Sequence, residues 1–303
     1  MNNTGVVGKY KLVVHKGNPE EPTQVVDWFD NLITNQGLDS LGFRNNGSNF
    51  YYCKVGSGST TPAVTDVGLV NVLGSKNGGS DTHGFTTTAP FYSWRRMEYV
   101  FTPGQATGNV SELSVGWDTT NASAFSRALV TENGSPITIT VLPDDYLTVY
   151  YEFRIYPNLD DSTGTVTIGG TTHSFTGRVG GIGGTRGSDS AASGAARPST
   201  LYTVLCLDGD IGTIFSQPAS TQYSHLARHE MNVSEGTYIS GTYYRDVTFT
   251  IPVGHGNLTN FIKSVQLICS ESTFQYEFTP NIQKTINNSL TLTFRFSWGR
   301  YTP

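Results

Sequence analysis

The chain has 303 residues, of which 37% are hydrophobic and 14% charged, with a formal net charge of −5. That length allows a sizeable core or two domains, and the composition excludes both a membrane-embedded chain and a highly charged disordered one. The acidic balance provides no basic surface to neutralise phosphates, so nucleic acid is not an expected partner.

The 34 glycines mark many turns, and 16 Tyr and 16 Phe supply the bulky side chains that suit a pleated surface. The opening MNNTGVVGKYKLVVHK lacks an apolar run followed by a small-residue cleavage site, so it does not read as a signal peptide. No stretch nears the length that crosses a bilayer, and no membrane insertion is expected. Residues 9–16 (KYKLVVHK) read as a strand. Residues 23–36 (TQVVDWFDNLITNQ) predict one short N-terminal helix. Thr23 stands in capping position, Val25, Trp28, Phe29, Leu32 and Ile33 recur at helical spacing, and Gly37 offers a left-handed stop. Such a stripe must cover a sheet or dock on a partner, which makes Trp28, Phe29 and Leu32 interface candidates.

Residues 50–55 (FYYCKV) predict a compact strand, followed by the turn-rich loop GSGSTTPAVTD. Val67, Leu69, Val70, Val72 and Leu73 fit either a short strand or one helical turn. Strand patterns follow at 91–101, 110–117, 137–142 and 146–156, with Asn133-Gly134 as a turn between them. In the last of these, Leu147, Val149, Tyr151, Phe153 and Ile155 share one face. Residues 165–175 look like a hairpin closed by Gly169-Gly170. Gly177 to Ser199 is low in complexity, with almost no apolar residue after Ile182. Fixing its backbone would cost roughly 20–45 kcal/mol at about 1–2 kcal/mol per residue, which its side chains cannot offset by burial. It is expected to be mobile unless a neighbour holds it. Strand signals resume at 201–207, 238–253, 261–269, 273–279 and 289–298.

Strands this dense, without alternating helices, predict an all-β fold of antiparallel sandwich or barrel type. The division that follows is two β domains, 1–176 and 200–303, around a loop or linker at 177–199. One large β domain carrying that loop as an insertion is the alternative.

Few residues suggest chemistry. Asp208-Gly209-Asp210 after a strand could hold a divalent metal as a DxD pair does, but Asp-Gly-Asp is also ordinary turn composition, and the α/β context is missing. His225 and His229 could share a helical face with Glu230 adjacent, though the order is not that of HExxH and no third ligand follows. Asp144-Asp145 and Asp160-Asp161 are paired acids in turns. Neighbours on a strand point to opposite faces, so neither pair alone spans a glycosidic bond. Cys53, Cys206 and Cys269 form no CxxC pair and read as reduced, buried thiols. No catalytic, metal or cofactor set is therefore expected. Tyr92, Trp94, Tyr243 and Tyr244 are candidates for stacking on sugar rings, against the commoner fate of core packing.

Several segments resemble, in their order, the virion structural proteins of tailed bacteriophages. They are WFDNLITNQGLDSLG (28–42), KVGSGSTTPAVTDVGLVNVLG (54–74), VSELSVGW (110–117), FSRALV (125–130), GSPITITVLPDDYLTVYYEFRIYP (134–157) and SLTLTFRFSWGRY (289–301). Residues 177–260 carry no such likeness. The resemblance implies a non-enzymatic particle component of the tail, baseplate or fibre attachment, assembled in the host cytoplasm. Its partners would be other virion proteins and further copies of itself. No cofactor is implied, and the family carries no set of functional residues to transfer. A receptor-binding module for bacterial surface polysaccharide, and a capsid decoration or head-fibre protein, are the alternatives. An enzyme, either a depolymerase or a metal-dependent transferase at Asp208 and Asp210, is the third reading.

Overall fold

The computed structural model describes residues 2–43, 48–182, 201–269 and 272–302. Strands make up 56% of the chain and helix 5%, in sheets that curl as a sandwich or half-barrel. The all-β expectation holds.

Three sheets carry the fold. The largest has eight strands. Its order is Asn232–Glu235, Tyr244–Ile251, Leu290–Arg300, Asn2–His15, Tyr146–Pro157, Ser93–Phe101 and Asp81–Phe85, with Pro22–Asp30 also paired to Asn2–His15. A six-stranded sheet runs Ser162–Ile168, Thr171–Ile182, Ser272–Ile282, Ile262–Cys269, Leu201–Leu207, Tyr223–Ala227. A five-stranded sheet runs Leu32–Ile33, Ala124–Leu129, Glu112–Gly116, Tyr52–Gly56, Val72–Asn77. Asn2–Val6 lies parallel to Phe296–Arg300, so the largest sheet joins both ends of the described chain.

Alternation decides which faces are inside. Leu147, Val149, Tyr151, Phe153 and Ile155 all point into a first core, where they meet Tyr10, Tyr99, Phe101, Val115 and Phe125. A second core gathers Val204, Phe249, Ile251, Val265, Leu267, Phe274 and Phe296. The hairpin Ser162–Ile182 packs on this second core through Val166, Ile168 and Phe175. Its turn has Gly169 at φ 57° and Gly170 at φ 83°, the left-handed pair that a tight hairpin demands.

The predicted helix at 23–36 is wrong. Pro22–Asp30 is an antiparallel strand, and the helix is Asn35–Phe43. The physical cause is a β-bulge. Tyr10 faces Phe29 and Leu12 faces Val26, so Asp27 and Trp28 together oppose Lys11. The extra residue turns a spacing of two into a spacing of three, and Val26 and Phe29 then both face the core as they would on a helix. Thr34, and not Thr23, caps the helix: its Oγ1 accepts the Gly37 N–H at 2.9 Å. Gly37 is no stop signal. It sits in the first turn, where a Cβ would collide with the Phe125 carbonyl oxygen.

Other expectations shift in detail. Ser48–Phe50 is a 3₁₀ turn, so the expected 50–55 strand begins at Tyr52. Residues 67–71 are irregular, and the strand starts at Val72. Gly177–Ile182 finishes a strand, and the rest of the expected loop, 183–199, lies outside the described residues.

Candidate functional site

The outer face of the eight-stranded sheet carries a continuous ladder of aromatic rings and guanidinium groups. Alternation sends Tyr150, Glu152, Arg154 and Tyr156 to the side opposite the core. Register then sets Arg96 across from Glu152 and Trp94 across from Arg154. Arg96 lies between two indoles, 4.8 Å from the Trp28 ring centroid and 5.2 Å from that of Trp94. Its Nη2 donates to Glu152 Oε2 at 2.6 Å, and Arg154 Nε donates to Oε1 at 2.6 Å. So enclosed, Glu152 is only 3% exposed although it is on the outer face. Arg154 continues the ladder, stacking 4.5 Å from the Tyr92 centroid. Tyr92 lies 5.0 Å from Tyr156, and Tyr156 stacks nearly parallel on Tyr301 at 3.8 Å. Cation–π contacts of this kind contribute about 0.5–2 kcal/mol each, more as they lose water.

The ladder ends in a groove of about 550 Å³ lined by Phe91, Tyr156, Asn158, Asp160, Tyr301 and the start of the Asn2–His15 strand. Gly5 makes the groove possible, because any side chain there would strike the Tyr301 ring. Phe91 is held by Phe215 at 4.5 Å.

The sequence candidates separate on this map. Tyr92, Trp94 and Trp28 come together in the ladder. Tyr244 stacks elsewhere, under Arg295 at 3.7 Å, and Arg295 is bidentate to Asp246. Tyr243 packs beside the first core next to Tyr238. Phe29 points inward against Tyr10 and is a core residue, while Leu32 is half-buried in the short strand Leu32–Ile33.

The metal readings lose their geometry. Asp208 accepts from Thr221 Oγ1 at 2.7 Å, from Ser220 Oγ at 2.8 Å and from the Thr221 and Gln222 amides at 3.0 and 2.9 Å. These bonds hold its carboxyl well below the usual range and make it a loop anchor. Asp210 pairs with Lys263. His225 lies on the strand Tyr223–Ala227 and His229 in the 3₁₀ turn Arg228–Glu230, so they share no helical face. Among the described residues no group of three or more His, Cys, Asp or Glu is placed to hold a metal. Asp144 and Asp145 both pair with Lys16, and Asp161 pairs with Arg178. The three cysteines are buried and free, with the Cys206 thiol pushed up to about 12 by burial.

A second polar centre escaped the sequence reading. Glu112 and Arg127, 0% and 2% exposed, meet diagonally between neighbouring strands of the five-stranded sheet, where the register sets Arg127 opposite Ser114. Arg127 Nη2 donates to Glu112 Oε2 at 2.9 Å and to Thr60, while Nη1 reaches Asp66 at 2.6 Å. Glu112 also accepts the amides of Gly58, Val70 and Asn71. Apart from the Arg127–Glu112 pair itself, each of these contacts ties residues 58–71 to the sheet. One signal was available: opposite charges inside VSELSVGW and FSRALV, two otherwise apolar strands. The pinned segment turns Val64, Val67 and Val70 outward, at 37%, 56% and 58% exposure, and Val72 at the start of the next strand is 39% exposed.

Comparison with protein-family models, with curated proteins and with solved structures returns no match for this chain.

Proposed function

We propose that this chain is a structural component of a tailed-bacteriophage particle, in the tail, baseplate or fibre attachment, and that it works through protein–protein contacts without a reaction of its own. The ordered resemblance of its segments to such virion proteins supports the reading. The observation that carries it is the pinned segment at 58–71. A buried ion network holds a loop that buries Leu69 but turns Val64, Val67 and Val70 to solvent, and three exposed valines on anchored backbone suit a contact surface better than a free one. Holding the loop in place beforehand lowers the ordering cost of association. Further copies of the chain and other virion proteins are the partners this reading implies.

Light scattering on the purified chain tests it. Wild type should form a defined oligomer, and Val67→Asp with Val70→Asp should convert it to monomer with an unchanged urea midpoint, since both side chains are exposed. A wild-type chain that stays monomeric at all concentrations would sink the reading. The alternative, recognition of bacterial surface polysaccharide, is favoured by the ladder and groove on the opposite sheet.

A further inference from the structure

We propose that the groove beside Tyr301 is a carbohydrate subsite for neutral pyranose residues. The inference deepens the polysaccharide-recognition reading and rests on it. Four features of the groove support it.

The first is the platform. Tyr301 is half-buried and braced from behind by Tyr156, with ring planes 8° apart. A braced ring loses little freedom when a ligand lands on it, which suits stacking against the C–H face of a sugar. The second is a polar rim. Asn158 and Asp160 are exposed on the same loop, and the Asp160 amide donates to Asn158 Oδ1 at 3.1 Å, which fixes the loop's shape. Among the described residues the Asp160 carboxylate engages no side chain, unlike its neighbour Asp161. A free carboxylate accepts two adjacent hydroxyl groups of a sugar. The third is charge. Arg300 lines the groove as well, its guanidinium oriented by the neutral acceptors Ile33 O at 2.6 Å and Asn35 Oδ1 at 2.7 Å, so its positive charge offsets the Asp160 carboxylate. The formal charge of the groove is therefore near zero, which suits a neutral sugar and gives an anionic one no net attraction. The fourth is size, because about 550 Å³ falls within the range of small-ligand sites.

The experiment is binding of the full purified chain to immobilised dextran, mannan and chitooligosaccharides, with polygalacturonate as the anionic comparison. The expected result is binding to at least one neutral glycan. Tyr301→Ala and Asp160→Asn should each weaken it at least tenfold, while Tyr301→Phe stays within threefold. Asp160 is exposed, so its variant keeps the test valid if Tyr301→Ala misfolds. Neutral-glycan binding that survives both substitutions would overturn this site and leave polysaccharide recognition standing elsewhere on the chain. Binding to polygalacturonate alone would overturn the neutral-sugar assignment. Binding to none of the four would overturn the site together with the reading beneath it.

Discussion

At the scale of single residues, the strongest local determinant is Arg127 beneath the 58–71 segment. Its partner Glu112 is fully buried and keeps three backbone N–H donors whatever stands at 127. Removing one member of a buried pair typically costs about 3–5 kcal/mol. Those remaining donors place Arg127→Met at the lower end, about 3 kcal/mol. Urea unfolding measures the loss, and limited proteolysis should show new cleavage between residues 58 and 71. A loss under about 1 kcal/mol would mean that the ion network does not hold the segment.

His15 makes a second residue-scale prediction. It is buried, its Nδ1 accepts the Gly17 amide, and Nε2 is bonded to Thr148 Oγ1 at 3.0 Å. Burial lowers its pKa, an effect that nearby Asp145 partly opposes. The unfolded chain therefore binds this proton first. Stability is lost as pH falls through the unfolded value of about 6.5 and goes on falling until the folded imidazole titrates. The urea midpoint should be lower at pH 5.5 than at pH 7.5, and His15→Gln should flatten that difference. An equal pH response in the variant would show that other groups cause it.

At the scale of elements, the helix Asn35–Phe43 is placed by contact with its neighbours. Gly37 is a poor helix former, and alanine there would ordinarily gain about 1 kcal/mol. Here the added Cβ meets the Phe125 carbonyl of the adjacent strand. Overpacking of this kind costs about 1–3 kcal/mol, so Gly37→Ala should give a net loss and a lower Tm. A raised Tm would show that the helix stands off the sheet. The bulge at Asp27 and Trp28 works at the same scale. It rotates Trp28 out of the core and onto Arg96, so one inserted residue supplies one end of the outer ladder.

At the scale of the whole molecule, the two cores are joined by more than a shared sheet. Trp298 Nε1 donates to the Leu38 carbonyl at 2.8 Å, Arg245 Nη1 to the Gly42 carbonyl at 2.7 Å, and Tyr238 to Asp39 at 2.6 Å. All three bring C-terminal residues onto the helix Asn35–Phe43. The parallel pairing of Asn2–Val6 with Phe296–Arg300 adds a seam of backbone bonds. Thermal unfolding should therefore be a single cooperative transition, with calorimetric and van't Hoff enthalpies in agreement. Two resolved transitions would mean that the cores melt independently and that the seam is weak.

What could be read from the residues alone was whatever depends on near neighbours. Alternation over 146–156 marked one face for the core, and Gly169-Gly170 and Asn133-Gly134 marked hairpin turns, because side-chain period and left-handed backbone are local properties. The all-β class follows from repeating such signals along the chain. Only the tertiary structure decided that Asp27 and Trp28 form a bulge, since a spacing of three looks the same on a helix. It alone set Glu112 on Arg127, Arg96 between Trp28 and Trp94, and Tyr301 on Tyr156. Apart from Arg96 and Trp94, neighbours on one face of a single strand, those contacts join residues 15 to 145 positions apart, and strand register, not sequence spacing, brings them within reach.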